Sequence, residues 1–301
     1  MTSSNDASGT APQSQQPGPY QAAGSLQGRT VLISGGSRGI GLAIALRAAR
    51  DGANIVLMAK TGQPHAKLEG TVYTAAEQIE AAGGSALPLV GDVRIDADVA
   101  GAVGAAVDRF GGIDVVINNA SAIDLSTTDT VDMKRYDLMQ DINVRGTFLL
   151  SKMALPALRA SDAGHILTLS PPLNLDPRWA GMHLAYTMAK YGMSLTTLGL
   201  AEELKEDRVS VNSLWPCTLI DTAAIRNMPG GDRIVKGARS PEIMADAAHA
   251  VLTGGNTLPA HGSRSGNFYT DEQVLAAAGV TDFRPYSLGA PEEQLVPDIF
   301  L

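Results

Sequence analysis

The chain has 301 residues, room for one large domain or two small ones. Hydrophobic residues make up 45% and aromatics only 5%, so a core has to be built from Ala, Val, Ile, Leu and Met. A net charge of -8 argues against a nucleic-acid surface, the single Cys217 excludes an internal disulfide and disfavours a cysteine metal site, and no apolar run reaches the ~18 residues of a membrane span.

Residues 1–24 are rich in Ser, Gln, Pro, Ala and Gly without apolar periodicity. They are expected to form a disordered arm, with one folded domain over 25–301. The N-terminus lacks the charged-then-apolar order of a signal peptide, so a cytoplasmic location is expected. Thr30 to Ser34 reads as a buried strand, and Ser34-Gly35-Gly36-Ser37-Arg38-Gly39-Ile40-Gly41 follows at once. A helix is predicted from Ile40 to about Arg50. Glycines at 35, 39 and 41 let the backbone turn tightly and approach a pyrophosphate, which then lies at the helix N-terminus. The second strand, Asn54 to Met58, ends in Ala59-Lys60 with no acidic residue to hold a ribose hydroxyl. Lys60 and Arg38 therefore favour the 2'-phosphate of NADP(H) over NAD(H).

A long loop with His65, read as a loop residue, leads to a helix near 73–82 and a third strand, Ala86 to Val90. Asp92 and Val93 follow. Asp92 either accepts from an adenine amino group or caps the helix predicted from about Ile95 to Phe110. The fourth strand, Asp114 to Ile117, leads into Asn118-Asn119-Ala120-Ser121, whose small residues suit a flat cofactor and whose Asn side chains can equally tie strands together. One long helix is predicted over about 133–158. Asn143 stands in its middle, a poor place for Asn unless it faces outward or marks a purposeful distortion. The fifth strand, His165 to Leu169, delivers Ser170 to the sheet edge where open α/β folds place ligands.

Pro171-Pro172 opens an apolar loop predicted to run to Leu184, with Trp179 and Met182 in it and His183 read as structural. The next helix, to about Leu204, carries Tyr186-Thr187-Met188-Ala189-Lys190. Four positions bring Tyr186 and Lys190 to one helix face. A phenol ionises near pH ~10. An ammonium beside it lowers that value, making the phenol a proton donor and acceptor near neutral pH. The sixth strand, Val209 to Leu214, leads to a small, polar stretch, about 218–240, read as a mobile substrate flap. A helix over 241–253, a seventh strand near 266–269 and a helix capped by Thr270 complete the pattern. The tip Ile299-Phe300-Leu301 is expected to dock on its own or a neighbouring subunit. Strands and helices alternate throughout, so the fold class is α/β: a single-domain, Rossmann-type, doubly wound parallel sheet of about seven strands, helices on both faces.

Ser34-Gly35-x-x-x-Gly39-Ile40-Gly41, Asp92-Val93, Asn118-Asn119-Ala120, Asn143, Ser170 and Tyr186-x-x-x-Lys190 stand in the order seen in the short-chain dehydrogenase/reductases, and the chain resembles that family over about 28–253. Within it, Ala59-Lys60-Thr61, Ser170-Pro171-Pro172-Leu173-Asn174-Leu175, Tyr191-Gly192-Met193-Ser194 and Gly266-Asn267-Phe268 resemble the hydroxysteroid dehydrogenase-like branch. Eukaryotic members of that branch are expected to carry a sterol-carrier domain beyond the point where this sequence stops. The resemblance implies Tyr186 as general acid/base. It implies Lys190 as the holder of the nicotinamide ribose and the tuner of Tyr186. Ser170 would donate to the substrate carbonyl oxygen and Asn143 would hold a relay water. The remaining cofactor contacts would come from Gly35, Ser37, Arg38, Gly39, Ile40, Gly41, Lys60, Asp92, Val93, Asn119, Ala120 and Thr222.

Three departures stand out. Ser170 and Tyr186 are sixteen positions apart, more than the family commonly has. Cys217 replaces the usual Gly after Pro216, with Thr222 one place late. Ser121 replaces a Gly. The expected activity is NADP(H)-dependent interconversion of a ketone or aldehyde and an alcohol on a small hydrophobic substrate, in a homodimer or homotetramer. The alternative is an NADP(H)-binding protein with little catalysis.

Overall fold

The computed structural model describes residues 19–64, 70–228, 230–254 and 264–301. His65 and residues 1–18 of the expected arm lie outside them. The packed body starts by Tyr20, whose hydroxyl meets His249 Nδ1 at 3.0 Å.

Seven parallel strands form one sheet: β1 (Thr30–Ser34), β2 (Asn54–Ala59), β3 (Ser85–Val90), β4 (Val115–Asn118), β5 (His165–Thr168), β6 (Ser210–Trp215) and β7 (Phe268–Thr270). Their spatial order is β3-β2-β1-β4-β5-β6-β7. The order reverses between β1 and β4, so a crevice opens at the carboxyl ends of the central strands. Strand alternation divides the core. Val31, Ile33, Ile55, Leu57, Ile117 and Leu167 face α1 (Gly39–Ala49) and α10 (Glu242–Thr253). Leu32, Val56, Met58, Val116, Ile166 and Val211 face α3 (Asp96–Phe110), α5 (Thr147–Ala160) and α7 (Leu184–Glu203). Both faces are covered, which is why the central strands read as continuous apolar runs. β3 stands at one edge. It contains Pro88, a residue tolerated in a sheet where its missing N–H falls on the outward row.

α2 (Val72–Ala81) follows β2, and α11 (Asp271–Ala277) follows β7 with Thr270 accepting from the Gln273 amide. Three predicted stretches differ in the structure. The long helix over 133–158 is three segments: α4 (Met133–Met139), a π-helical turn Gln140–Gly146, and α5. The loop from Pro171 to Leu184 contains α6 (Pro177–Met182), started by Asp176, whose carboxylate accepts from the Arg178 amide at 2.9 Å. Asp-Pro is the N-cap and first-position pair that signals a helix start. The flap holds two short helices, α8 (Ala223–Arg226) and α9 (Gly231–Ile234). Among the described residues no helix is long and apolar enough to cross a membrane.

Candidate active site

The glycine turn between β1 and α1 is built around a close approach. Gly35 (φ 70°) and Gly39 (φ 55°) occupy the left-handed region that favours glycine. A Cβ at Gly41 would lie 2.5 Å from Asn119 Nδ2 and 2.7 Å from the Gly35 carbonyl oxygen. Asn119 Nδ2 donates to the carbonyls of Ser34 and Gly35, both at 3.0 Å, and the Asn119 and Ala120 amides donate to Ser34 Oγ at 3.1 Å. Asn119 therefore clamps the turn to the end of β4, the strand-tying role. Its neighbour Asn118 likewise donates to Ser151 Oγ at 2.9 Å. Arg38 sits at the N-cap of α1 in extended backbone and gives no side-chain cap, so the first-turn amides carry none. Ser37 and Ile40 complete the turn; Ser37 is buried. Thr222, the cap of α8, approaches this turn: its Cγ2 lies 3.4 Å from where a Cβ on Gly39 would stand. The cradle fits a dinucleotide pyrophosphate, which needs bare backbone and free helix N–H groups.

Asp92 is held by Arg94, whose Nε lies 3.0 Å from both carboxylate oxygens and whose Nη2 lies 2.6 Å from Oδ2. Lys60 adds a 3.2 Å contact from a side chain 58% exposed. Arg94 first, with Lys60, holds the carboxyl far below the usual range. The helix-cap reading of Asp92 is corrected: α3 begins one residue after Ile95, with no side-chain cap. Val93 is buried beside the π turn, where a Cβ on Gly146 would meet Val93 Cγ2 at 2.8 Å. Arg38 Nη2 donates to the Gly70 carbonyl at 2.8 Å.

Asn143 lies in the π turn, so of the two alternatives it marks a distortion and does not face outward. Asn143 is fully buried; its Oδ1 accepts from the Ala122 amide at 2.7 Å and its Nδ2 donates to the Ala122 carbonyl at 3.0 Å. The Asn143 side chain is thus anchored on the backbone of the loop after β4. The Ser170 hydroxyl pairs with Ser213 Oγ at 2.8 Å, and Ser213 donates on to Thr197 at 2.9 Å, all three fully buried. That chain ties Ser170 to β6 through Ser213 and to α7 through Thr197.

Tyr186 and Lys190 lie one turn apart on α7, 5% and 3% exposed. Among the described residues the Tyr186 hydroxyl has no hydrogen-bond partner. Lys190 Nζ donates to the Leu169 carbonyl at 2.7 Å and stands 4.9 Å from the Trp215 ring centre. Burial lowers its pKa to about 7. The expectation that Tyr186 is lowered is overturned in this conformation: burial, and then the Asp298 carboxylate, raise it well above the usual phenol value. Burial and Asp271 push the Cys217 thiol to about 12, away from the reactive thiolate form. His183 is structural, its Nδ1 2.7 Å from the Leu125 carbonyl.

The segment 295–301 is a strap that packs beside Tyr186 through Phe300. The Leu219 amide donates to the Val296 carbonyl and the Val296 amide to the Gly237 carbonyl, both at 2.9 Å. The Asp298 amide donates to the Cys217 carbonyl at 3.0 Å, and Trp215 Nε1 to the Ile299 carbonyl at 3.0 Å. The apolar tip thus docks on its own subunit. The Phe300 ring, 1% exposed, lies 6.2 Å from that of Tyr186, stacked at 29°. This contact joins residues 114 positions apart, and the sequence signals it only as an apolar tip.

The sequence profile of the short chain dehydrogenase family matches residues 29–229. The chain belongs to the short-chain dehydrogenase/reductase family. That family consists of oxidoreductases that use a nicotinamide dinucleotide on small molecules. The chain is 54% identical over 278 residues to hydroxysteroid dehydrogenase-like protein 2 of Xenopus laevis, covering 92% of this chain and 64% of that protein. For the Homo sapiens protein of the same name the identity is 51%, with the same coverage. The chain therefore spans about 64% of the length of these relatives. Among solved family structures, a Xanthomonas campestris protein described as a dehydrogenase superposes with TM-score 0.85 at 51% identity, covering 92% of this chain and 99% of that one. A short chain dehydrogenase from Mycobacterium thermoresistibile gives 0.84 at 50% identity, covering 92% and 96%.

Proposed function

We propose that this family member is an NADP(H)-dependent oxidoreductase that interconverts a ketone or aldehyde and an alcohol on a small hydrophobic substrate. The observation that carries the reading is the buried Tyr186–Lys190 pair beside the carboxyl edge of the sheet, with a Tyr186 hydroxyl that has no intramolecular partner among the described residues. Gly35, Ser37, Arg38, Gly39, Ile40, Gly41, Asn119, Ala120 and Thr222 would cradle the dinucleotide, with Asp92 and Val93 toward its adenine end. The bound dinucleotide supplies or accepts the hydride. Tyr186 gives its proton to the carbonyl oxygen in reduction and takes it back in oxidation. Lys190, one turn along α7, would hold the nicotinamide ribose, and in its protonated form would favour ionisation of the phenol. Asn143 positions the loop after β4 through Ala122. Ser170, whose hydroxyl pairs with Ser213, supports the sheet edge at the end of β5.

Lys60 and Arg38 support the NADP(H) preference. Asp92 keeps Arg94 if Lys60 swings away, so Lys60 can reach a phosphate without stranding a carboxylate. Exposed Phe148 (51%), Leu195 (57%) and Leu198 (48%) on α5 and α7 support a homodimer or homotetramer through those helices. A cytoplasmic location belongs to the same reading.

The test is steady-state NADPH oxidation against a panel of aldehydes, ketones and 3-oxoacyl thioesters. Tyr186→Phe is expected to lower kcat by roughly 10²–10⁴-fold with NADPH affinity nearly unchanged. Full activity in that variant sinks the assignment of Tyr186. Tight NADPH binding without turnover on any substrate would favour the binding-only alternative, which the sequestered Ser170 hydroxyl motivates.

A further inference from the structure

Phe300 is seated in an aromatic box. Its ring centre lies 6.0 Å from Trp179, 5.3 Å from Tyr191, 6.0 Å from Trp215 and 6.2 Å from Tyr186. Its backbone sits at φ 78°, and among the described residues no other non-glycine residue has a positive φ. Such a conformation is strained and persists only where the surroundings enforce it. One atom of the box is unsatisfied: Trp179 Nε1 is buried with no hydrogen-bond partner. A phenyl ring could offer that N–H only its π face, a weak acceptor, whereas a ligand carrying an oxygen acceptor can satisfy it. A proton-transferring phenol has to touch its substrate oxygen, and with Phe300 in place the Tyr186 side chain is covered. Carbonyl groups of Cys217 and Gly237 and the amide of Leu219 hold the strap, so it is fastened to the flap and to the residue just before it.

We propose that Phe300 is a resident occupant of the subsite for the substrate's apolar group. A planar hydrophobic carbonyl compound with a second hydrogen-bond acceptor binds there by displacing Phe300 and the strap that carries it. The inference rests on the enzymatic reading of Tyr186. It goes further in naming the shape of the substrate and the segment that competes with it.

The experiment is calorimetric titration of 4-methoxyacetophenone into the full chain saturated with NADP+, a mixture in which no hydride is available and only binding is read. Phe300→Ala is expected to bind the ketone about tenfold tighter than the unaltered chain, as for a strap seated in roughly nine molecules of ten. Toluene, which fits a cavity left by a phenyl ring, is expected to reverse that gain. Phe300→Leu, which keeps a branched apolar side chain, gives an intermediate affinity and carries the comparison if the Ala variant does not fold. Equal or weaker ketone binding in folded variants overturns the proposal and makes Phe300 a fixed wall. Turnover by the unaltered chain with NADPH is read separately. Tighter binding without any turnover would leave the displaced ring standing and sink the oxidoreductase reading instead.

Discussion

At the residue scale, Asp92 divides its attention unequally. Arg94 binds it with a fork, whereas Lys60 touches it from solvent. Lys60→Ala is therefore expected to leave the fold intact and to weaken NADPH by about tenfold, the worth of a charge-assisted hydrogen bond. NADH, which lacks the extra phosphate, should change little. Equal losses in fluorescence titrations with the two cofactors would remove Lys60 from the 2'-phosphate site. Asn119 makes a different kind of contribution. Asn119→Ala strips two backbone carbonyls of their shared donor, and about 1–3 kcal/mol of stability should go with it, read as a lower urea midpoint. The glycine turn and the Tyr186–Lys190 spacing are legible in the sequence because each depends on neighbours a few positions away. Ser170 is not: its partner Ser213 lies 43 positions on, and nothing local says that the two hydroxyls meet.

At the scale of elements, strands are read well because burial on both faces makes each an unbroken apolar run. The π turn is harder. Its only trace is a polar residue in the middle of a helix, and the bonds from Asn143 to Ala122 that settle it span 21 positions. α6 has a local signal in Asp176-Pro177, masked by the Pro171-Pro172 pair before it. The junction of β5 and β6 carries a pH dependence. Asn212 Nδ2 lies 3.1 Å from His165 Nε2, and burial lowers the His165 pKa to about 4. In the unfolded chain the ring protonates near ~6.5. Between those two values the unfolded state binds more protons, so stability is full above the higher value and falls as the solution is acidified toward the lower. The urea midpoint should drop over that window, and His165→Gln should flatten this part of the slope. A midpoint insensitive to the substitution throughout would mean that the ring is not the group responsible.

At the scale of the whole molecule, Arg239 joins three parts. Its guanidinium, 1% exposed, pairs with Glu272 in α11 and with Glu292 at 2.7 Å before the strap, and its backbone bridges the flap residue Ile220. Arg239→Met is expected to cost on the order of 2 kcal/mol, less than for a pair buried on both sides, because the half-exposed carboxylates rehydrate. Limited proteolysis should then cut near the strap before it cuts the sheet. An unchanged digestion pattern would mean that the backbone bonds to Leu219 and Gly237 suffice. The strap is the part of the architecture least visible in the sequence, since its partners are spread from Asn174 to Gly237. Pro88 acts at the opposite end of the sheet. With an imino acid interrupting the ladder donors of β3, a second molecule zipping its backbone onto that border would lack a donor there, so fibril-like growth by lateral strand addition is disfavoured.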